Sequence, residues 1–122
     1  MAEFKAPGSE AFRRALERLG RDLPRGYLKL LQSHYAAPEH TITATELARS
    51  IGYKNHSAAN LHYGKLAALL KSELKWSTGE SVGLKWLVEF VDPGERNNAE
   101  ILWVMRPQLA EALEELRWVK AP

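Results

Sequence analysis

The apolar positions along the chain alternate between two periods, and each change of period marks a new element. Phe12, Ala15, Leu16 and Leu19 recur at helical spacing, with Ser9 placed to cap the start and Gly20 to end it. Asp22-Leu23-Pro24 restarts a helix, Pro24 suiting its first turn. Tyr27, Leu28, Leu31, His34 and Tyr35 mark its buried face, and Ala36-Ala37-Pro38 stops it. The β-branched run His40-Thr41-Ile42-Thr43 predicts a brief strand. Thr43 and Glu46 have the spacing of a capping box for a third helix through Leu47, Ala48 and Ile51, which Gly52 ends in a left-handed conformation. A fourth helix, capped by Ser57 or a close neighbour, runs to about Leu74. Leu84, Trp86, Val88 and Phe90 then alternate as a half-buried strand does, residues 92–98 form a polar turn, and Ile101, Trp103 and Met105 alternate on the return strand. Pro107 opens a last helix packed through Leu109, Ala110, Leu113 and Leu116.

This order predicts an α+β fold, mostly α: a winged helix-turn-helix with N-terminal helices, a two-stranded wing hairpin and a C-terminal helix. The 122 residues suffice for one hydrophobic core, and no repeat or long linker divides them, so residues 1–122 read as a single domain. No run approaches the roughly 18 apolar residues of a membrane span, and the first seven residues lack the apolar core of a secretion signal. Cysteine is absent, which removes disulfides and thiolate metal sites. The expectation is a cytoplasmic protein with no membrane association and no cofactor.

Charge sharpens the picture through its distribution. The net charge is only +2, yet residues 49–75 carry Arg49, Lys54, Lys65, Lys71 and Lys75 against the single acid Glu73. On a helical wheel with Leu66 at the centre of the buried side, Ala59, His62, Tyr63, Leu69, Leu70 and Glu73 lie within about 60° of it. The opposite face carries Ser57, Asn60, Leu61, Gly64, Ala68 and Lys71, with Lys65 on the flank. Asn60 has the chemistry for a bidentate contact to adenine, and Leu61 for an apolar contact to a base methyl group. Small Gly64 and Ala68 let a backbone approach closely. Tyr53, Lys54, Asn55 and His56 form the turn before the helix, where Lys54 and Asn55, like Lys65 and Lys71 beside the helix, are placed for phosphates. At the hairpin tip, Arg96, Asn97 and Asn98 suit a narrow minor groove or a phosphate.

Each of these residues also has an ordinary reading. A single exposed lysine is more often a solvated side chain than a phosphate ligand, and Asn55 and Ser57 can serve simply as helix caps. His62 falls inward as a core or boundary histidine rather than a metal ligand. Glu73 also falls inward, so the helix ends there or the carboxylate pairs with a neighbour. The tip at 96–98 can be a turn selected for backbone geometry. Of the four tryptophans, Trp86 and Trp103 share parity with the strand core, which assigns most of their area to packing, although one could line a pocket for a modified base. No glycine-rich phosphate loop, HExxH or CxxC spacing or serine nucleophile elbow is present, and His34, His40, His56 and His62 form no recognisable ligand pattern, so no enzyme is expected.

The entry HYxAPxHTxTAT, the turn GYKN (Gly52-Tyr53-Lys54-Asn55), the helix AANLxYGKL and the late VMRPxLAxAL lie within a stretch from Tyr27 to Leu113. They resemble a bacterial winged-helix module that occurs alone or joined to HNH-type endonuclease domains in modification-dependent restriction proteins. The resemblance implies binding of double-stranded DNA, a recognition helix bearing Ser57, Asn60, Leu61, Gly64 and Lys65, and in some relatives recognition of adenine methylated on its exocyclic amine. It does not carry over a methyl-binding pocket, and the chain has no HNH constellation of its own. The expected partners are therefore DNA and a fused or associated HNH nuclease. A winged-helix transcriptional repressor and a protein-protein interaction module, the latter using Leu61, Gly64 and Ala68, are the alternatives.

Overall fold

The computed structural model describes residues 7–74, 83–92 and 100–120. Helix α1 (Ser9–Leu19) buries Phe12, Ala15 and Leu16 along one stripe, as the spacing requires. Its cap position belongs to Gly8 rather than Ser9, which is the first helical residue. A 3-10 turn at Gly20–Asp22 leads to α2 (Arg25–Ala36), with Pro24 one residue earlier than expected, at the N-cap. Leu30 joins Leu31, His34 and Tyr35 on the buried side of α2, whereas Tyr27 and Leu28 are only half-buried. A second 3-10 turn (Pro38–His40) feeds strand β1 (Thr41–Thr43), so His40 precedes the strand instead of starting it. Helices α3 (Ala44–Ser50) and α4 (His56–Leu74) follow.

The largest departure from the expected pattern lies after α4. Gly83–Trp86 coil into a 3-10 turn, and β2 spans only Val88–Val91. A tight helical turn cannot keep a period of two, so Trp86, Leu87 and Val88 are all buried in succession, and Phe90 is left 44% exposed. Phe90 still meets the edge of Trp103, with ring centroids 6.1 Å apart. Strand β3 (Leu102–Met105) buries Trp103 and Met105 as expected, while Ile101 lies outside the strand and exposed. The three strands form an antiparallel sheet in the order β1-β3-β2, with Thr41 opposite Val104 and Val88 opposite Met105. Arg106 locks the far end of the hairpin: its backbone N–H donates to the Leu87 carbonyl at 2.9 Å and its Nε to the Lys85 carbonyl at 2.6 Å. Helix α5 (Pro107–Glu115) then packs against α1. The described residues thus form an α+β, mostly helical fold around a small three-stranded sheet.

Among the described residues the core is apolar with one polar exception. His34 is fully buried. Its Nε2 lies 2.8 Å from the Trp103 carbonyl and its Nδ1 2.9 Å from the Tyr63 hydroxyl. A carbonyl can only accept, so Nε2 carries the proton and Nδ1 accepts from Tyr63. Both ring nitrogens are satisfied in the neutral form, and one side chain joins α2, α4 and β3. Burial holds the His34 pKa down at about 4, opposed by hydrogen bonding to the Trp103 backbone. The same burial pushes the Tyr63 hydroxyl pKa up.

Because the folded pKa of His34 lies below the ordinary value of 6.5, the unfolded chain binds the proton first as pH falls. Stability from this group is complete above pH 6.5 and drains away between there and pH 4, by up to about 3 kcal/mol. Urea unfolding at pH 7 and pH 4.5 measures this. His34→Leu is expected to cost about 2–3 kcal/mol at pH 7, since it removes the donor to the Trp103 carbonyl and leaves the Tyr63 hydroxyl only the Leu30 carbonyl at 3.5 Å. It should also flatten this part of the acid dependence.

Candidate nucleic-acid interface

The helix pair α3–α4 is assembled by local chemistry at each junction. Thr43 caps α3 by accepting from the Glu46 N–H at 3.1 Å, while its own hydroxyl donates to the Glu46 carboxylate at 3.0 Å. At the other end, the Gly52 N–H donates to the Arg49 carbonyl at 3.2 Å and the Tyr53 N–H to the Ala48 carbonyl at 2.8 Å. These two bonds make a Schellman ending, and Gly52 supplies the left-handed residue it needs, with φ of 84°. Three residues later Asn55 Oδ1 accepts from the Ala58 N–H at 3.3 Å, so Asn55 and not Ser57 caps α4.

Tyr53 is turned back against the body of the fold. Its ring lies 5.1 Å from that of His62, and Tyr27 approaches the same imidazole at 5.6 Å. A side chain at Gly26 would meet the Tyr53 hydroxyl at 3.1 Å, so glycine there makes room for this contact. Burial, with Tyr27 alongside, raises the Tyr53 pKa. Tyr53 therefore pins the turn, leaving Lys54, Asn55, His56 and Ser57 exposed around it. His62 is half-buried between the two tyrosines, a boundary residue whose Nδ1 has no hydrogen-bond partner among the described residues. The sequence places Tyr27 on the buried face of α2 but does not show its contact with His62, nor the role of Gly26, because their partners lie in distant elements. The only local hint is a glycine beside an aromatic in an otherwise regular helical stretch.

The buried residues of α4 are Ala59, Tyr63, Leu66, Ala67 and Leu70. Their mean direction is rotated about 40° from Leu66, toward Tyr63 and Leu70. Leu69, expected inside, is consequently 37% exposed, and Lys71, expected outside, is half-buried on the flank. Glu73 is half-buried, pairs with Arg18 at 3.9 Å, and is followed by one last helical residue. The rotation places Leu61, 54% exposed, at the middle of the outward arc, ringed by exposed Ser57, Asn60, Lys65 and Ala68. A methyl group added at Gly64 would meet nothing within 4 Å. The structure brings Lys54, Asn55, His56, Ser57, Asn60, Leu61, Gly64 and Lys65 onto one surface, while Tyr53 supports it from behind. Arg96, Asn97 and Asn98 lie outside the described residues, as does Trp76.

Electrostatically this surface differs from α1. The arginines of α1 are paired: Arg13 with Glu17 and Glu115, Arg14 with Glu10, and Arg18 with Glu73. Among the described residues neither Lys54 nor Lys65 has a carboxylate within ion-pair distance. Among those same residues no group of three metal-ligating side chains converges, and no helix is long and apolar enough to cross a membrane. The chain matches no protein-family model, no curated protein and no solved structure.

The two glycines of this region should respond oppositely to alanine. Gly64→Ala fills open space in a helix interior and is expected to add roughly 0.5–1 kcal/mol of stability. Gly52→Ala forces a side chain into the left-handed region and is expected to cost about 1 kcal/mol. Denaturant midpoints of the two variants check both signs.

Proposed function

We propose that the chain is a winged-helix domain that binds double-stranded DNA, with α4 in the major groove and the β2–β3 hairpin beside it. The observation that carries this reading is the outward arc of α4: Leu61 at its centre, exposed Asn60 and Ser57 at its start, open space at Gly64, and Lys54 and Lys65 at its margins. A helix of about 10–12 Å diameter matches a major groove about 12 Å wide, and small residues at 64 and 68 narrow its leading side. The order of elements supports it too, since a helix pair followed by a hairpin whose return strand pairs with an earlier short strand is what a winged helix requires. Lys54 and Lys65 supply salt-sensitive affinity, and Asn60 and Leu61 supply base discrimination. Asn55, whose Oδ1 is engaged as a cap, keeps its amide N–H groups as phosphate donors.

The finer reading is that the preferred base is adenine methylated on its exocyclic amine, and that binding localises a fused or associated restriction nuclease. It draws on the resemblance of the GYKN turn and the AANLxYGKL helix, together with the apolar Leu61 at the centre of the contact surface. The exposed Leu61, Ala68 and Leu69 favour a second reading, in which the same arc contacts another protein's helix.

A mobility-shift panel at fixed salt, comparing unmethylated, adenine-methylated and cytosine-methylated duplexes, separates these readings. Binding tightest to adenine-methylated duplex is expected. Lys54→Ala with Lys65→Ala should weaken binding to every duplex and reduce the salt slope by about 2, whereas Asn60→Ala should chiefly relax discrimination. Selective binding of a palindrome by a dimer would favour a repressor instead. No affinity for any duplex at low salt would remove the DNA reading and leave the protein-contact one.

A further inference from the structure

Three non-glycine residues among those described have positive φ: Glu39 (54°), His40 (56°) and Arg117 (61°). All three line a single cavity of about 660 Å³ between the end of α2 and the segment after α5. Left-handed conformations at such residues persist only where the surroundings impose them, and they concentrate at ligand clamps. Arg117 is the sharpest case. Its N–H donates to the Glu114 carbonyl at 3.0 Å and the Trp118 N–H donates to the Leu113 carbonyl at 3.1 Å, a second Schellman ending. That motif favours glycine at the left-handed position, as Gly52 provides in α3. Here the position carries a guanidinium instead, on the wall of a cavity.

The remaining walls are preorganised. The His40 ring lies over the Tyr35 ring, with centroids 4.4 Å apart and planes inclined by 31°. His40 Nδ1 donates to the Tyr35 carbonyl at 2.7 Å, so the neutral ring keeps Nε2 as an acceptor. The Tyr35 hydroxyl donates to the Glu114 carboxylate, which fixes that ring and occupies that acid. Gln32 Nε2 donates to the Trp118 carbonyl at 3.0 Å and holds the last segment against α2, with the Trp118 side chain half-buried in the wall. Arg117 and Lys120 are exposed at the rim, and among the described residues no carboxylate, that of Glu39 included, lies within ion-pair distance of either.

We propose that this cavity binds a small aromatic carboxylate, its ring against Tyr35, His40 and Trp118 and its carboxylate held by Arg117 and Lys120. The volume is that of a small-molecule site, and flat aromatic walls beneath two cations with no ion pair among the described residues suit a flat ligand with one anionic end. His40 enters β1 at Thr41, opposite Val104, whereas Thr43, opposite Leu102, marks the end of the sheet nearest the hairpin turn. The cavity thus lies at the end of the sheet away from that turn, and the proposal does not depend on the DNA reading.

Titration of the ¹⁵N-labelled chain with benzoate and with indole-3-acetate, followed by amide and indole NMR shifts, tests it. Saturable shifts confined to His40, Arg117, Trp118 and their neighbours are expected. Arg117→Gly relieves the left-handed backbone, so it should raise Tm by a few degrees while weakening both probes by about tenfold or more. His40→Asn, which tolerates positive φ, should likewise weaken them. Any one of three results overturns the proposal: no saturable shift at millimolar probe, binding of benzamidine as tight as that of benzoate, or wild-type affinity in a folded Arg117→Gly variant.

Discussion

One buried imidazole sets the geometry on which the rest depends. His34 fixes the distance from α2 to both α4 and β3 through two hydrogen bonds in a core that is otherwise apolar. Apolar packing alone tolerates small slides and rotations, whereas a ring with two directional partners does not. Tyr63, one of those partners, lies on the inward side of α4, so the rotation of that helix about its axis is tied to the imidazole. The residues α4 presents outward follow from the same constraint. A second support stands at the adjacent residue of α4, where Tyr27 and Tyr53 enclose His62. The outward surface of α4 is thereby backed by aromatic and imidazole contacts on two adjoining sides of the helix at the same level.

The features legible in the sequence were those decided by local chemistry. Gly52 has the left-handed conformation that its position after an apolar helix implied, and Thr43 with Glu46 caps α3 at the expected residue. Pro107 opens α5. Features decided by distant partners were misread or invisible. The wheel centred on Leu66 was rotated because Ala67 packs inward while the larger Leu69 does not, and volume alone favours the opposite choice. The alternation from Leu84 to Phe90 fits a strand, yet the chain coils there and buries Trp86 and Leu87 together. Nothing local announced that Arg117 would occupy a left-handed position, since glycine is the usual signal for one.

Charge is distributed as deliberately as apolar area. Arginines on α1 are answered by acids on α1, α4 and α5, which leaves that side of the molecule close to neutral. The lysines around the α3–α4 turn have no such partners among the described residues. A net charge of only +2 is therefore compatible with a locally positive surface around Lys54 and Lys65. Mild overall basicity and a strongly polarised surface are compatible in a chain of this size.

The contact between the first and last helices has a consequence for how the chain acquires its structure. Phe12 and Leu16 of α1 are completely buried, α1 packs against α5, and Arg13 meets Glu115 at 3.3 Å. During synthesis, then, α1 waits through nearly the whole length of the domain before its main packing partner leaves the ribosome. Until that moment the part of its apolar stripe that α5 covers stays accessible to water, to neighbouring nascent chains and to chaperones. The contact of α1 with α5 joins segments far apart in sequence, and such separation slows folding relative to a bundle whose helices meet in order.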